Sequence, residues 1–354
     1  DTKGISQQFT DIVVHPLTPT LVFAGSQTPK YIYRSADSGE TWTDVLYDWG
    51  YRLAIDPPNT IYATDDWREF ARSTSLGDAG TWITQVGGSL TPGIMETLAI
   101  DTATTPGTLY LGLRDNGIYT SADGCETWSA CNLSLAATTE PLDIALDPQN
   151  RSTFFVAAGA DGGWRTQDGG ATWERPIGGH VSAFAVHPQN TSIVYAANAD
   201  GFEFTDAVLR SEDGGASFSA SYASSADIYA LAIAASDPDI VYAGGRKENA
   251  TPVIVQSTDG GASWNEVLTL PEGVVESIAV HPTDPNVAYA GLEDITTPPL
   301  TGIIYRTIDS GATWNAVYAS TTGSIHSIVI DQEQPNVVYA TDDQNVLKSS
   351  DGGV

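Results

Sequence analysis

Basic residues are scarce in this chain. Against 44 acidic side chains its 354 residues set only 15 basic ones, four of them lysine, and the formal charge is −29. A surface that negative repels phosphate backbones, anionic lipid and acidic polysaccharides. Nucleic acid is therefore excluded as a partner, while neutral glycans, cations and basic protein surfaces remain. No apolar run reaches the roughly 18 residues that a spanning helix needs, so membrane insertion is excluded as well. Cysteine is nearly absent. Cys125 and Cys131 lie six residues apart, about 20 Å along an extended strand and beyond disulfide reach. A bridge requires the chain to bend between them, and both states stay open. The chain starts at Asp1 with neither methionine nor an apolar leader, as a processed or trimmed chain would. The expected setting is extracellular or periplasmic, and the expected state a monomer.

What is present is a repeated phrase. "RSADSGETW" from Arg34 returns as "TSADGCETW", "RTQDGGATW", "RSEDGGASF", "QSTDGGASW", "RTIDSGATW" and a clipped "KSSDGG". A degenerate copy, "STSLGDAGTW", spans 73–82. The period is about 45 residues, in the range of solenoids and propellers. Each unit carries four short runs rich in β-branched and aromatic residues, such as "DIVVHP", "LVFAG", "YIYRS" and "TWTDVL". Gly, Pro, Asp and Asn bound these runs, and no helical stretch intervenes. The expected fold is an all-β propeller of about eight four-stranded antiparallel blades, seven being the alternative count. The whole chain reads as one domain, with repeats starting near 9, 50, 95, 141, 180, 228, 275 and 325. Residues 1–8 are a candidate closing strand for the last blade.

Within the phrase, Ser and Asp can bond nearby backbone and Gly supplies a positive φ, so the phrase reads as the turn between third and fourth strands. Asp37, Asp123, Asp168, Asp213, Asp259, Asp309 and Asp351 are then structural. These phrases resemble the Asp boxes, or BNR repeats, of sialidases, xyloglucan-cleaving glycoside hydrolases, sortilin-type receptors and photosystem assembly factors of the Ycf48 kind. The resemblance covers every unit and implies the propeller. It does not select a function, because enzymes, receptors and assembly factors share it.

Function is sought where units depart from the repeat. His15, His187 and His281 share a register with Asp56, Asp101 and Asp147, which marks turn residues rather than metal ligands. Arg34, Arg72, Arg165, Arg210 and Arg306, with Lys348, form another scaffold register. The loops between second and third strands vary most. In the second unit Tyr47, Trp49, Tyr51 and Trp67 are expected to gather beside Arg52, Asp65, Asp66 and Arg68, a set that suits sugars, whose CH groups stack on rings while hydroxyls meet charged groups. A register before the inner-strand core holds Thr10, Tyr51, Glu96, Leu142, Ser182, Tyr229, Glu276 and His326.

The candidate ligand-binding residues are thus Tyr47, Trp49, Tyr51, Arg52, Trp67, Arg68, Tyr229 and His326. Carboxylates available for acid–base chemistry are Asp65, Asp66, Asp342, Asp343, Glu96 and Glu276. The xyloglucanase-like pattern continues Asp-x-Gly-Gly, which neither "ATDDWRE" nor "ATDDQN" supplies. No cofactor is expected, calcium at Asp200, Glu203 and Asp206 being the one candidate metal. The expected function is a secreted, non-catalytic propeller that binds a glycan or protein partner on its loop-bearing face. The alternative is a glycoside hydrolase acting on a neutral polysaccharide through a carboxylate pair.

Overall fold

The computed structural model describes residues 2–6, 8–48, 50, 52–65, 70–86, 90, 93–131, 140–199, 206–248, 250–270, 273–294 and 301–354. Among them, thirty-two strands form eight antiparallel four-stranded sheets, the blades of a β-propeller, and no helix occurs. No helix is therefore long and apolar enough to cross a membrane. The first strands of the blades are Gln8–Val14, Leu53–Asp56, Met95–Asp101, Asp143–Leu146, Val181–Val186, Asp227–Ile233, Val274–Val280 and Ile325–Ile330. Seven blades run in chain order from first to fourth strand. In the eighth, Thr2–Ser6 takes the outermost place beside Asn345–Ser349, with Thr2 opposite Leu347 and Ser6 opposite Asn345. Contacts group the chain into two compact units, residues 1–141 with 331–352, and residues 142–330 with 353–354.

Burial grades across each blade. Second strands such as Ile61–Ala63 and Val194–Ala197 are enclosed on both faces, whereas fourth strands such as Asn265–Thr269 alternate between exposed and half-buried. The second strands therefore read as unbroken apolar runs. Tyr62, Tyr195, Tyr242, Tyr289 and Tyr339 are fully buried there, each burial contributing about 2–3 kcal/mol before entropic costs. Glycine on this strand admits the next blade: a Cβ on Gly25 would lie 2.3 Å from the Gly50 carbonyl oxygen.

The repeated turns show why Ser, Asp, Gly and Thr recur at fixed spacing. Ser35 Oγ donates to Asp37 Oδ1 at 2.8 Å and accepts from the Gly39 amide at 2.7 Å. Asp37 Oδ1 accepts the Thr41 amide at 2.8 Å, and Oδ2 the Thr41 hydroxyl at 2.6 Å. The same set recurs around Asp123, Asp168, Asp213, Asp259 and Asp309, and the serine-to-aspartate bond recurs at Asp351. The degenerate second copy has no aspartate to span the gap, and Ser73 Oγ meets Thr81 Oγ1 directly at 2.7 Å. Donors aimed at a carboxylate favour its charged form. Those of Thr41 hold Asp37 down to about 2, those of Ser263 hold Asp259 down to about 2, and Asp123, Asp168, Asp213 and Asp309 are lowered by the same arrangement.

These turns also join blades. Tyr195 donates to the Gly260 carbonyl of the next blade at 2.7 Å. Arg34 Nε donates to Leu76 O at 2.9 Å, and Arg72 Nη1 to Gly124 O at 2.5 Å. Tyr339 and Lys348 of the last blade reach Ser38 O at 2.9 Å and Glu40 Oε1 at 2.5 Å in the first. Aromatics fill the space between: Phe70 lies 4.7 Å from Trp128, and Tyr242 meets Trp314 edge-on at 6.1 Å. Cys125 stands at the glycine position of its turn and adopts the left-handed conformation, with φ 71°. Cys125 and Cys131 are both buried and not joined by a disulfide, and burial pushes Cys131 up to about 11.

The turn after the first strand uses histidine and aspartate interchangeably. His187 Nδ1 accepts the Gln189 and Asn190 amides at 3.1 and 2.9 Å. Asp147 Oδ1 accepts those of Gln149 and Asn150 at 2.8 and 3.0 Å. His281 and Asp331 repeat the pattern. An acceptor at Nδ1 places the ring proton on Nε2.

Candidate functional site

Five first strands lose register at one residue each. Thr10, Glu96, Ser182, Tyr229 and Glu276 are passed over in the pairing with their second strands. Such a bulge re-aims the extra side chain and is common beside binding sites. All five lie at the blade end that carries the hairpins between second and third strands, opposite the aspartate turns. They belong to the register that the sequence sets apart.

In the unit containing residues 1–141, Arg52 is the hub. Its Nε donates to Glu96 O at 3.0 Å and its Nη1 to Thr10 O at 3.4 Å, so one guanidinium ties the bulges of the first and third blades. Arg114 forms an ion pair with the buried Glu96 and a second one with Glu140 at 2.9 Å. Opposite charges thus alternate along the row.

Beside them Asp11 accepts the Leu53 amide at 2.8 Å and the Ile12 amide at 2.9 Å. Burial raises its carboxyl above the ordinary value, against the pull of Arg52 and those amides. Asp65 directly follows the strand Thr60–Thr64. Thr64 bonds back to Arg52 twice: its Oγ1 accepts the Arg52 amide at 3.1 Å and its own amide donates to Arg52 O at 3.0 Å. Arg52 is thus bonded to Thr64, the residue before Asp65, and to the backbone of Glu96.

The remaining candidates of this unit separate. Asp342 is fully buried and caps its own hairpin, its Oδ1 accepting the Gln344 amide at 2.8 Å and the Asn345 amide at 2.6 Å. Asp343 beside it is half-buried. Tyr47 ends its strand 60% exposed, its ring 5.2 Å from Tyr31, which in turn lies 5.7 Å from Tyr33. Trp49, Tyr51, Asp66, Trp67 and Arg68 lie outside the described residues.

In the unit containing residues 142–330, Tyr229 donates to Asp227 Oδ2 at 3.3 Å, and Arg246 sets its Nε 3.7 Å from that oxygen and its guanidinium 6.0 Å from the Tyr229 ring centroid. Glu276 Oε2 lies 3.2 Å from His326 Nδ1. Asp143 accepts the Phe184 amide at 3.0 Å, and burial raises its carboxyl. Of the calcium candidates, Asp206 opens a strand, while Asp200 and Glu203 lie outside the described residues. Among the described residues no group of three or more His, Cys, Asp or Glu could hold a metal ion.

Asp11, Asp143, Asp227 and Glu140 were not singled out from sequence. Asp11 and Asp143 share the register of Arg52, so an ionisable residue one place after the register of Thr10, Tyr51 and Leu142 was the available signal.

No family model matches the chain. A stretch of 70 residues, 19% of the chain, is 34% identical to an oligoxyloglucan-reducing end-specific xyloglucanase of Emericella nidulans. A stretch of 191 residues, 47% of the chain, is 28% identical to a probable enzyme of the same description from Neosartorya fischeri. The matched stretches cover 9% and 23% of those proteins, less than a quarter of the length of either. Among solved structures, the GH74 xyloglucanase from Xanthomonas campestris superposes with TM-score 0.65 at 17% identity, covering 99% of this chain and 53% of that one. Chaetomium thermophilum Sqt1, bound to the N-terminus of ribosomal protein L10, gives TM-score 0.68 at 13% identity and covers 98% of both chains. At those identities the structural likeness speaks for the fold alone.

Proposed function

We propose that this propeller is a glycoside hydrolase module acting on a neutral polysaccharide of the β-glucan class, xyloglucan being the first substrate to test. The observation that carries the reading is the 28% identity over 191 residues with a probable xyloglucanase. Charge agrees with it, because a chain of −29 favours a neutral glycan over an acidic one. An extracellular or periplasmic setting goes with a polysaccharide substrate. The same comparison favours the hydrolase over the non-catalytic binder.

The chemistry is assigned to Asp65 and Glu96. Hydrolysis needs one carboxyl group to protonate the departing glycosidic oxygen and a second carboxylate on the other side of the sugar. Asp65, half-buried and next in the chain to Thr64, which bonds to Arg52, is the proton donor. Glu96 is held by Arg114 and receives the proton of the water that attacks the anomeric carbon. Arg52 is a positioning residue, since it bonds to the backbone carbonyl of Glu96 and to the hydroxyl and amide of Thr64. Exposed Tyr47 supplies a ring for a sugar face.

Incubation of the purified chain with xyloglucan and unsubstituted β-glucan tests this reading, scored by release of reducing ends. Release from xyloglucan is the expected result. Retention on the polysaccharide without release would return the protein to the class of glycan binders, and neither release nor retention would point to a protein partner.

A further inference from the structure

The unit of residues 142–330 carries its own bulge residues of this register, Ser182, Tyr229 and Glu276. Tyr229, Glu276 and His326 occupy one register on three neighbouring first strands, Asp227–Ile233, Val274–Val280 and Ile325–Ile330. The register position before them is spent, because Ser182 Oγ donates to Ile228 O at 2.5 Å. From Tyr229 onward the polar groups are half-open: the side chains of Arg246, Glu276 and His326 are 39%, 31% and 36% exposed.

We infer that Asp227, Tyr229, Arg246, Glu276 and His326 form a separate subsite for neutral sugar residues, which binds vicinal hydroxyls and has no part in bond cleavage. This rests on the glycan reading above and extends it to a second place on the chain.

Charge balance selects the ligand. Arg246 is answered by Asp227 at 3.7 Å, and Glu276 faces an imidazole nitrogen at 3.2 Å. An anionic ligand at Arg246 would press against Asp227. Hydroxyl groups carry no such cost. Each donates to a carboxylate and accepts from a guanidinium, so adjacent hydroxyls match a half-exposed Arg–Asp pair. Asp227 anchors the arginine on its Nε side and Tyr229 lies against its guanidinium. This restraint limits the side-chain freedom lost on binding.

Calorimetric titration of the intact chain with cellotetraose and with a xyloglucan oligosaccharide tests the subsite, with reducing-end release followed on the same samples. Arg246→Ala and Glu276→Gln are each expected to weaken binding about tenfold, as loss of one charge-assisted hydrogen bond does. Thermal melts run alongside, and Glu276→Gln, which keeps shape and volume, decides the matter if Arg246→Ala fails to fold. Weaker binding by a folded Glu276→Gln supports the subsite, even if the protein releases no reducing ends and the hydrolase reading fails. Unchanged binding by folded variants overturns the subsite and leaves hydrolysis at Asp65 and Glu96 standing. Tighter binding of digalacturonate than of cellotetraose, abolished by Arg246→Ala, would overturn the assignment to neutral sugars.

Discussion

The hydroxyl of Tyr339 donates a 2.9 Å hydrogen bond to the carbonyl of Ser38, 301 residues earlier in the chain. Tyr195 makes the equivalent bond to Gly260 at 2.7 Å between consecutive blades. The contact between last and first blades is therefore built from the same parts as an interior one. Removing either hydroxyl leaves a carbonyl without its donor, buried at Gly260 and half-buried at Ser38. Tyr339→Phe and Tyr195→Phe should each cost about 1–2 kcal/mol in urea unfolding. A negligible cost for Tyr339→Phe alone would mean that first and last blades are not coupled.

Acid should unfold the protein through its turns. Carboxylates whose folded pKa is depressed contribute stability that is present above their unfolded value and lost as pH falls through the folded one. For Asp37 and Asp259 that window runs from the ordinary 3.8 down to about 2. Melting temperature is expected to fall steeply across it, and Asp37→Asn should flatten the slope while lowering stability at neutral pH. A profile that Asp37→Asn leaves unchanged would remove the turn from the explanation.

Asp143 carries the opposite sign. Burial raises its folded pKa, so its charge burdens the fold at neutral pH and the burden vanishes below the ordinary carboxylate value. Asparagine still offers an oxygen to the Phe184 amide. Asp143→Asn should therefore raise the melting temperature at pH 7 and show no gain below about pH 4. A loss at pH 7 would give Asp143 a bonding role that asparagine cannot fill.

The histidine turns predict a selective tolerance. His281 Nδ1 accepts the Thr283 and Asp284 amides at 3.3 and 3.0 Å, as Asp331 Oδ1 does for its own turn at 2.9 and 3.0 Å. His281→Asp should lie within about 0.5 kcal/mol of wild type and His281→Ala should cost about 1 kcal/mol. Equal costs in chemical denaturation would show that the ring, not its nitrogen, matters.

The blades were legible because a 45-residue period repeats the same alternation eight times, and each copy reinforces the others. The scaffold registers were legible for the same reason: Arg34 and Lys348 differ in type yet reach the same turn of the following blade. Counting back from the inner-strand core also found Glu96, Tyr229 and Glu276, although spacing alone does not reveal that a bulge turns them out of the ladder. What stayed hidden was pairing across blades. Asp11 reads as a polar strand start, and only the fold brings the Leu53 amide and Arg52 to it. Asp342 looked like a loop carboxylate, whereas its oxygens serve its own hairpin.

The central claim is that Asp65 and Glu96 hydrolyse a neutral β-glucan. Its most direct test is reducing-end release from xyloglucan by wild type, Asp65→Asn and Glu96→Gln, each checked for an unchanged melt. The account predicts release by wild type and a loss of at least about a hundredfold in each variant, the scale of one acid–base group. Wild-type release that survives both substitutions would contradict it.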